Sequence, residues 1–169
     1  MTNNFKNHSS SFRDNDANVG YLDNKLVRKI NKSYFQTFEK FISCGLYDEL
    51  VSKNLIVKHE EISKNEEEII ISPDEIFISY PWEWPFSMLK QGAIATLEIA
   101  IIALKYDFIL KDGNFFNIQF KNNKPILIDT TSFEEFKGQI WQGYKQFCTN
   151  FLAPLLLMAN VDINLQDLI

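Results

Sequence analysis

Residues 87–106 constrain the fold more than any other stretch of the chain. Ser87 can cap a helix in which Leu89, Ala93, Ile94, Leu97, Ile101 and Leu104 recur at threes and fours, while Ala95, Ala100 and Ile102 widen the apolar face. A helix that is apolar on most sides needs partners on most sides. It is therefore expected to be buried as the central pillar of the C-terminal half. Its longest apolar run, residues 93–104, is interrupted by Glu98 and is too short to cross a bilayer, so no membrane span is expected. The material to surround it is present: 46% of the 169 residues are hydrophobic and 15 are Phe, which suits a packed core rather than a disordered chain.

The flanking segments alternate between helical and strand patterns. Residues 1–11 are polar and predict a disordered tail without a secretory signal. Residues 19–30 predict a hairpin turning at Asp23-Asn24. Ser33 can cap a helix through Tyr34, Phe35, Phe38, Phe41 and Ile42, which Cys44-Gly45 ends; a shorter helix covers residues 47–53. The charged run 64–68 predicts a solvated loop, and residues 69–71 and 76–80 predict strands on either side of Ser72-Pro73-Asp74. Pro81-Trp82-Glu83-Trp84-Pro85 then breaks any ladder and concentrates aromatic area. It reads either as an aromatic plug between two lobes or as a stacking site for a base or sugar. Residues 140–160 predict a second long helix, kinked or restarted at Pro154.

A net charge of −5 and a pI near 5.1 argue against a nucleic-acid surface, which needs clustered Lys and Arg. Cys44 and Cys148 lie in unrelated apolar contexts without metal-ligand spacing, as expected of free thiols in a reducing cytoplasm. With His8 and His59 the only histidines, a zinc site or a His-based triad has little to draw on.

Residues 110–129 hold the polar groups that can carry chemistry. Asp112, Asn117 and Asp129 stand at spacings of five and twelve beside strand-like segments at 115–120 and 125–128. A carboxylate to orient a nucleophile, with a carboxamide and a second carboxylate as hard oxygen ligands, is the set that magnesium-dependent phosphoryl transfer uses. If the hairpin turns on Asn122 and Asn123 alone, paired residue numbers sum to 245 and Asn117 faces Ile128. If Lys124 joins the loop, Asn117 faces Asp129. Asp-Gly and Asn-Asn are also ordinary turn formers, and Asp129 before Thr130-Thr131-Ser132 can serve backbone donors in a turn.

The order Asp112-x-x-x-x-Asn117, a strand pair, then Asp129 resembles the catalytic loop and metal-binding Asp of the protein kinase-like superfamily, including its aminoglycoside and choline kinase branch. Residues 110–120, 125–134 and 144–159, with Phe12-Arg13-Asp14, Ser79-Tyr80-Pro81-x-Glu83-Trp84 and Leu97-Glu98, resemble the kinase-like N-terminal region of bacterial proteins in which a class I S-adenosylmethionine-dependent methyltransferase domain follows. This resemblance implies an α+β, small two-lobed protein kinase-like fold: a tail at 1–11, a reduced N-terminal lobe over 12–84 and a helical C-terminal lobe over 85–169. It also implies a phosphotransferase using magnesium and ATP on a small-molecule or glycan-like acceptor, or a non-catalytic pseudokinase module that binds a ligand or docks a methyltransferase domain. Asp112 would match the catalytic base, Asn117 and Asp129 the metal ligands, and Arg28 or Lys29, with Glu39, the nucleotide-phosphate pair.

The departures from that pattern are specific. Leu110-Lys111 stands where protein kinases have His-Arg before the loop Asp, Thr130-Thr131 follows the metal Asp in place of Gly, and the chain has no glycine-rich GxGxxG loop. No glycine-rich turn of the kind that cradles S-adenosylmethionine occurs within the 169 residues.

Overall fold

A computed structural model describes residues 5–8 and 15–168. The chain is α+β, as the sequence implies, with a five-stranded antiparallel sheet followed by a helical half that carries two short strand pairs.

The sheet runs in the order β1-β2-β3-β5-β4, from β1 (Lys6–Asn7), β2 (Ala17–Leu22), β3 (Lys25–Asn31), β4 (His59–Lys64) and β5 (Glu68–Pro73). The β2–β3 hairpin forms where expected. Asp23 and Asn24 have φ of 50° and 64°, the left-handed pair that a two-residue turn needs to match the strands' twist. The expected disordered tail is corrected at residues 6–7, which pair with β2 through Lys6↔Tyr21 and Asn7↔Gly20. The remainder of that tail, and Phe12-Arg13-Asp14, lie outside the described residues.

Between β3 and β4 come α1 (Phe35–Ser43) and α2 (Leu46–Ser52), separated by Gly45 at φ 91°. Ser33 does not cap α1; it sits in a 3-10 turn, Lys32–Tyr34, that leads into the helix. Residues 55–57 then join the halves. Ile56 bridges Leu127 in parallel, and Val57 N and Leu127 N donate to Leu127 O and Leu55 O, at 2.8 Å each.

Residues 76–80 form no strand, contrary to expectation. β5, the strand they follow, is already flanked by β3 and β4, so the chain cannot turn back to pair with it and leaves the sheet after Pro73. The segment instead leads into a 3-10 turn at Pro81–Glu83 and then α3 (Phe86–Leu104). Pro85 precedes this helix, and Ser87 lies inside it without capping it. By length and apolarity α3 is long enough to cross a membrane, yet Leu89, Ala95, Ile99, Ile102 and Ala103 pack into the core. The buried face keeps Leu89 and Ala93 of the expected one but departs from it elsewhere: Ile94, Leu97, Ile101 and Leu104 are exposed.

Beyond α3, β6 (Phe108–Leu110) pairs with β9 (Phe133–Glu135), and β7 (Ile118–Lys121) pairs with β8 (Lys124–Leu127). Residues 115–117 form a 3-10 turn rather than the start of a strand. The last helical stretch begins at Tyr144, not at residue 140. It runs as α4 (Tyr144–Phe147), a π turn (Cys148–Leu152) and α5 (Ala153–Asn160). The widened turn immediately precedes Pro154, which removes a backbone donor and makes a continuous α ladder impossible there.

One buried cluster extends through both halves, including Ile30, Phe41, Trp84, Leu89, Phe108 and Phe133. Phe41 of α1 stacks on Phe133 at 4.8 Å and meets Phe108 edge-on at 6.1 Å, which fixes α1 against the β6–β9 pair.

Candidate functional site

The Asn-Asn hairpin sets the geometry. Asn122 and Asn123 have φ of 53° and 61°, and Ile118↔Leu127 through Lys121↔Lys124 is the two-residue register, summing to 245. Asn117 therefore lies opposite Ile128, whose N donates to Asn117 O at 2.9 Å, and Asp129 is one residue further on.

Ser132 links Asn117 and Asp129. Asn117 Nδ2 donates to Ser132 Oγ at 3.3 Å, and the Ser132 hydroxyl is among the groups hydrogen-bonded to the Asp129 carboxylate. Asp129 Oδ1 also accepts from Thr131 N at 2.9 Å and Thr131 Oγ1 at 2.8 Å, closing a turn around the carboxylate.

The fourth partner arrives from the sheet. Arg28 on β3 donates Nη1 to Asp129 Oδ1 and, at 2.7 Å, to Thr131 Oγ1. Burial would raise the Asp129 pKa. The Arg28 charge and the bonds from Thr131 and Ser132 outweigh burial and hold it at about 2. The carboxylate is anionic throughout the physiological range.

Adjacent residues on a strand point to opposite faces, so Lys29 cannot join Arg28 there. Lys29 Nζ lies 3.5 Å from Glu68 and 5.1 Å from the centre of the Phe5 ring. Glu39 of α1 takes Lys64 instead of Arg28. Of the two cations the sequence offered, the structure brings only Arg28 to Asp129.

Asp112 is half-buried in the loop after β6. Its neighbours hold that loop to the same cluster: Lys111 N donates to Ser132 O at 2.7 Å, and Gly113 N donates to Gln146 Oε1 at 3.1 Å. Lys111 Nζ reaches Asp16 at 2.7 Å and sits over the Tyr34 ring at 4.9 Å. Gly113 and Gly143 meet backbone to backbone, leaving no room for a side chain on either.

Magnesium is usually held by one or two carboxylates together with substrate phosphates and water. Here Asp129, the one carboxylate of the Asn117–Ser132–Asp129 relay, already faces a guanidinium. Among the described residues no group of three or more His, Cys, Asp or Glu side chains is placed to hold a metal. As arranged, the positive charge at Asp129 comes from Arg28. The pairing itself could not be found from sequence pattern, because Arg28 and Asp129 stand 101 residues apart.

Fold and site together define an α+β chain in which a sheet cation is latched to a hairpin carboxylate. No family model matches the chain. It is 30% identical over 167 residues to the nodulation protein NoeA of Rhizobium meliloti (strain 1021), a match covering 92% of this chain and 34% of that protein. The chain thus spans about a third of the length of the curated relative it matches. Among solved structures, vaccinia related kinase 3 aligns with 80% of this chain and 51% of its own at 12% identity and a TM-score of 0.49.

Proposed function

We propose that the chain is a kinase-like module of the pseudokinase type, which binds a ligand or docks a partner domain without turning over a nucleotide. The observation that carries this reading is the Arg28–Asp129 pair. Protein kinases place a Lys on the third strand to hold nucleotide phosphates and leave the Asp after the catalytic hairpin free for magnesium. In this chain the third-strand cation is spent on that Asp. The resemblance to proteins carrying a methyltransferase domain supports such a domain as the partner, and two-thirds of NoeA lies outside the match. Cys44 and Cys148 are free thiols, which suits the reducing cytoplasm.

A second reading, a magnesium- and ATP-dependent phosphotransferase on a small-molecule or glycan-like acceptor, is favoured by one observation. Ser132 ties Asn117, Asp129 and the loop of Asp112 together through its side chain and its carbonyl. In that reading Arg28 swings from Asp129 to the phosphates, Asp112 orients the acceptor hydroxyl, and Asn117 and Asp129 take the metal. A thermal-shift titration with ATP and magnesium separates the two, since a ligand present well above its dissociation constant raises stability. No shift at millimolar nucleotide supports the module. A magnesium-dependent shift that Asp129→Asn abolishes supports the transferase.

A further inference from the structure

Trp82 and Trp84 have opposite fates. Trp84 is fully buried, with its ring edge-on to Phe120 at 5.2 Å and its Nε1 donating to Ser79 Oγ at 2.8 Å. Trp82 is 48% exposed, and it stacks on Tyr80, 46% exposed, with ring centres 4.7 Å apart and planes within 2°. Phe116, 47% exposed, meets Trp82 edge-on at 6.4 Å. Phe116 belongs to the 3-10 turn that ends at Asn117, so the aromatic surface borders the Asp112–Asn117 loop.

The backbone beneath these rings is fixed. Gln119 accepts from Ser79 N at 2.9 Å and donates to Ser79 O at 3.1 Å. Tyr80 N donates to Glu83 Oε2 at 2.7 Å, and Glu83 N returns to Tyr80 O at 2.8 Å. Three large rings held at the surface on two hydrogen-bonded turns have lost conformational freedom without gaining full burial. Such a preformed apolar patch is characteristic of a binding surface.

We propose that Tyr80, Trp82 and Phe116 form a stacking platform for a neutral sugar ring. The axial C–H bonds of a pyranose carry partial positive charge and are attracted to the negative face of an aromatic ring, while the ring oxygens remain outward for hydrogen bonding. Polar groups that can take sugar hydroxyls stand in the same two turns: the Glu83 carboxylate, which uses Oε2 for Tyr80, and the Asn114 carboxamide, which uses Oδ1 for Phe116 N. Residues 76–84 and 112–120 contain Glu83 and Asp112 but no Lys or Arg, so the platform favours an uncharged ligand over a phosphorylated one. This site requires no phosphoryl transfer and stands whichever reading of the Arg28–Asp129 cluster holds.

The test is a tryptophan-fluorescence titration of the whole chain with cellotetraose, maltotetraose and chitotetraose, with adenosine and a proline-rich peptide as competing ligand classes. At least one tetrasaccharide should give a saturable blue shift at millimolar concentration. Trp82→Ala should abolish the shift, and Tyr80→Ala or Phe116→Ala should weaken binding roughly tenfold, the size of a lost stacking contact. All three side chains are near the surface, and circular dichroism will show that the variants fold. A tetrasaccharide affinity measured by calorimetry should fall in parallel. The proposal is overturned if no tetrasaccharide saturates, if calorimetric affinity survives Trp82→Ala, or if adenosine or the peptide saturates the platform while the sugars do not.

Discussion

Arg28, in the third strand of the sheet, is ion-paired with Asp129, which follows the hairpin of the helical half. Both side chains are largely withdrawn from water, at 12% and 19% exposure. Removing one member of such a pair leaves the other as an uncompensated buried charge, whereas an exposed pair is worth little. Arg28→Ala should therefore cost about 3 kcal/mol in urea unfolding. Replacing both residues by apolar ones should cost much less than the sum of the single changes. Additive costs would show that the two halves are not joined through this pair.

The same pair predicts how stability falls in acid. The Asp129 pKa drops from its ordinary 3.8 to about 2 on folding, so the unfolded chain binds the proton more readily. That contribution, about 2 kcal/mol, is complete above the ordinary value and is lost as pH falls through about 2. His59 acts at higher pH. Burial, followed by the charge of Arg28, lowers its pKa from 6.5 to about 4, and its buried Nδ1 has no hydrogen-bond partner. Its protonation also favours the unfolded chain, so stability should decline between pH 6.5 and 4 and the His59 contribution should then level off. His59→Phe keeps a ring against Tyr47, now 4.5 Å away, and removes the titration. Its unfolding free energy should be flat from pH 7 to 5, with the Asp129 loss in stronger acid retained; a wild-type slope in the variant would assign that limb to other groups.

Gly113 and Gly143 set how the Asp112 loop rests on α4. A Cβ on Gly143 would lie 2.6 Å from Gly113 N and 2.7 Å from Trp141 Nε1, and one on Gly113 would meet Gly143 O and Phe147 N. Backbone atoms cannot move aside as a flexible side chain can. Gly113→Ala and Gly143→Ala should each destabilise by about 1–3 kcal/mol, the usual cost of overpacking. Gly138→Ala offers a contrast: its Cβ would meet nothing within 4 Å, and its cost comes from φ 85° alone. Equal Tm losses at all three positions would show that close packing at the loop is not the cause.

What the sequence disclosed and what it concealed follow from the range of the interactions involved. Asn122-Asn123 specifies its turn through its own backbone preferences, so the sequence narrowed the pairing of 117 with 128 or 129 to two registers, of which the two-residue one forms. Gly45 ends α1 for the same local reason. Arg28 was visible as a cation but its partner was not, since a contact across 101 residues leaves no periodic trace. The apolar run at 76–80 read as a strand because β-rich composition records a side-chain preference and not whether a ladder forms around it. In the same way, the opposite roles of Trp82 and Trp84 depend on the Ser79–Gln119 anchor, 40 residues apart.

α3 provides the sharpest case, because a helix apolar on nearly every side has no single direction for periodicity to reveal. Residues 94, 97, 101 and 104 follow the spacing of a core stripe, yet Ile101 is 61% exposed and Ile99 is fully buried. The small residues Gly92, Ala95 and Ala103 form part of the true interior face, where close approach matters more than hydrophobic bulk; a Cβ on Gly92 would stand 3.2 Å from the Phe151 ring. Ile99→Ala should therefore cost about 2–5 kcal/mol, the range for truncating a buried Ile, while Ile101→Gln should stay within about 0.5 kcal/mol. Urea unfolding of the two variants measures both. Equal costs would place the 94–97–101–104 stripe in the core after all and reverse the assignment of the helix's faces.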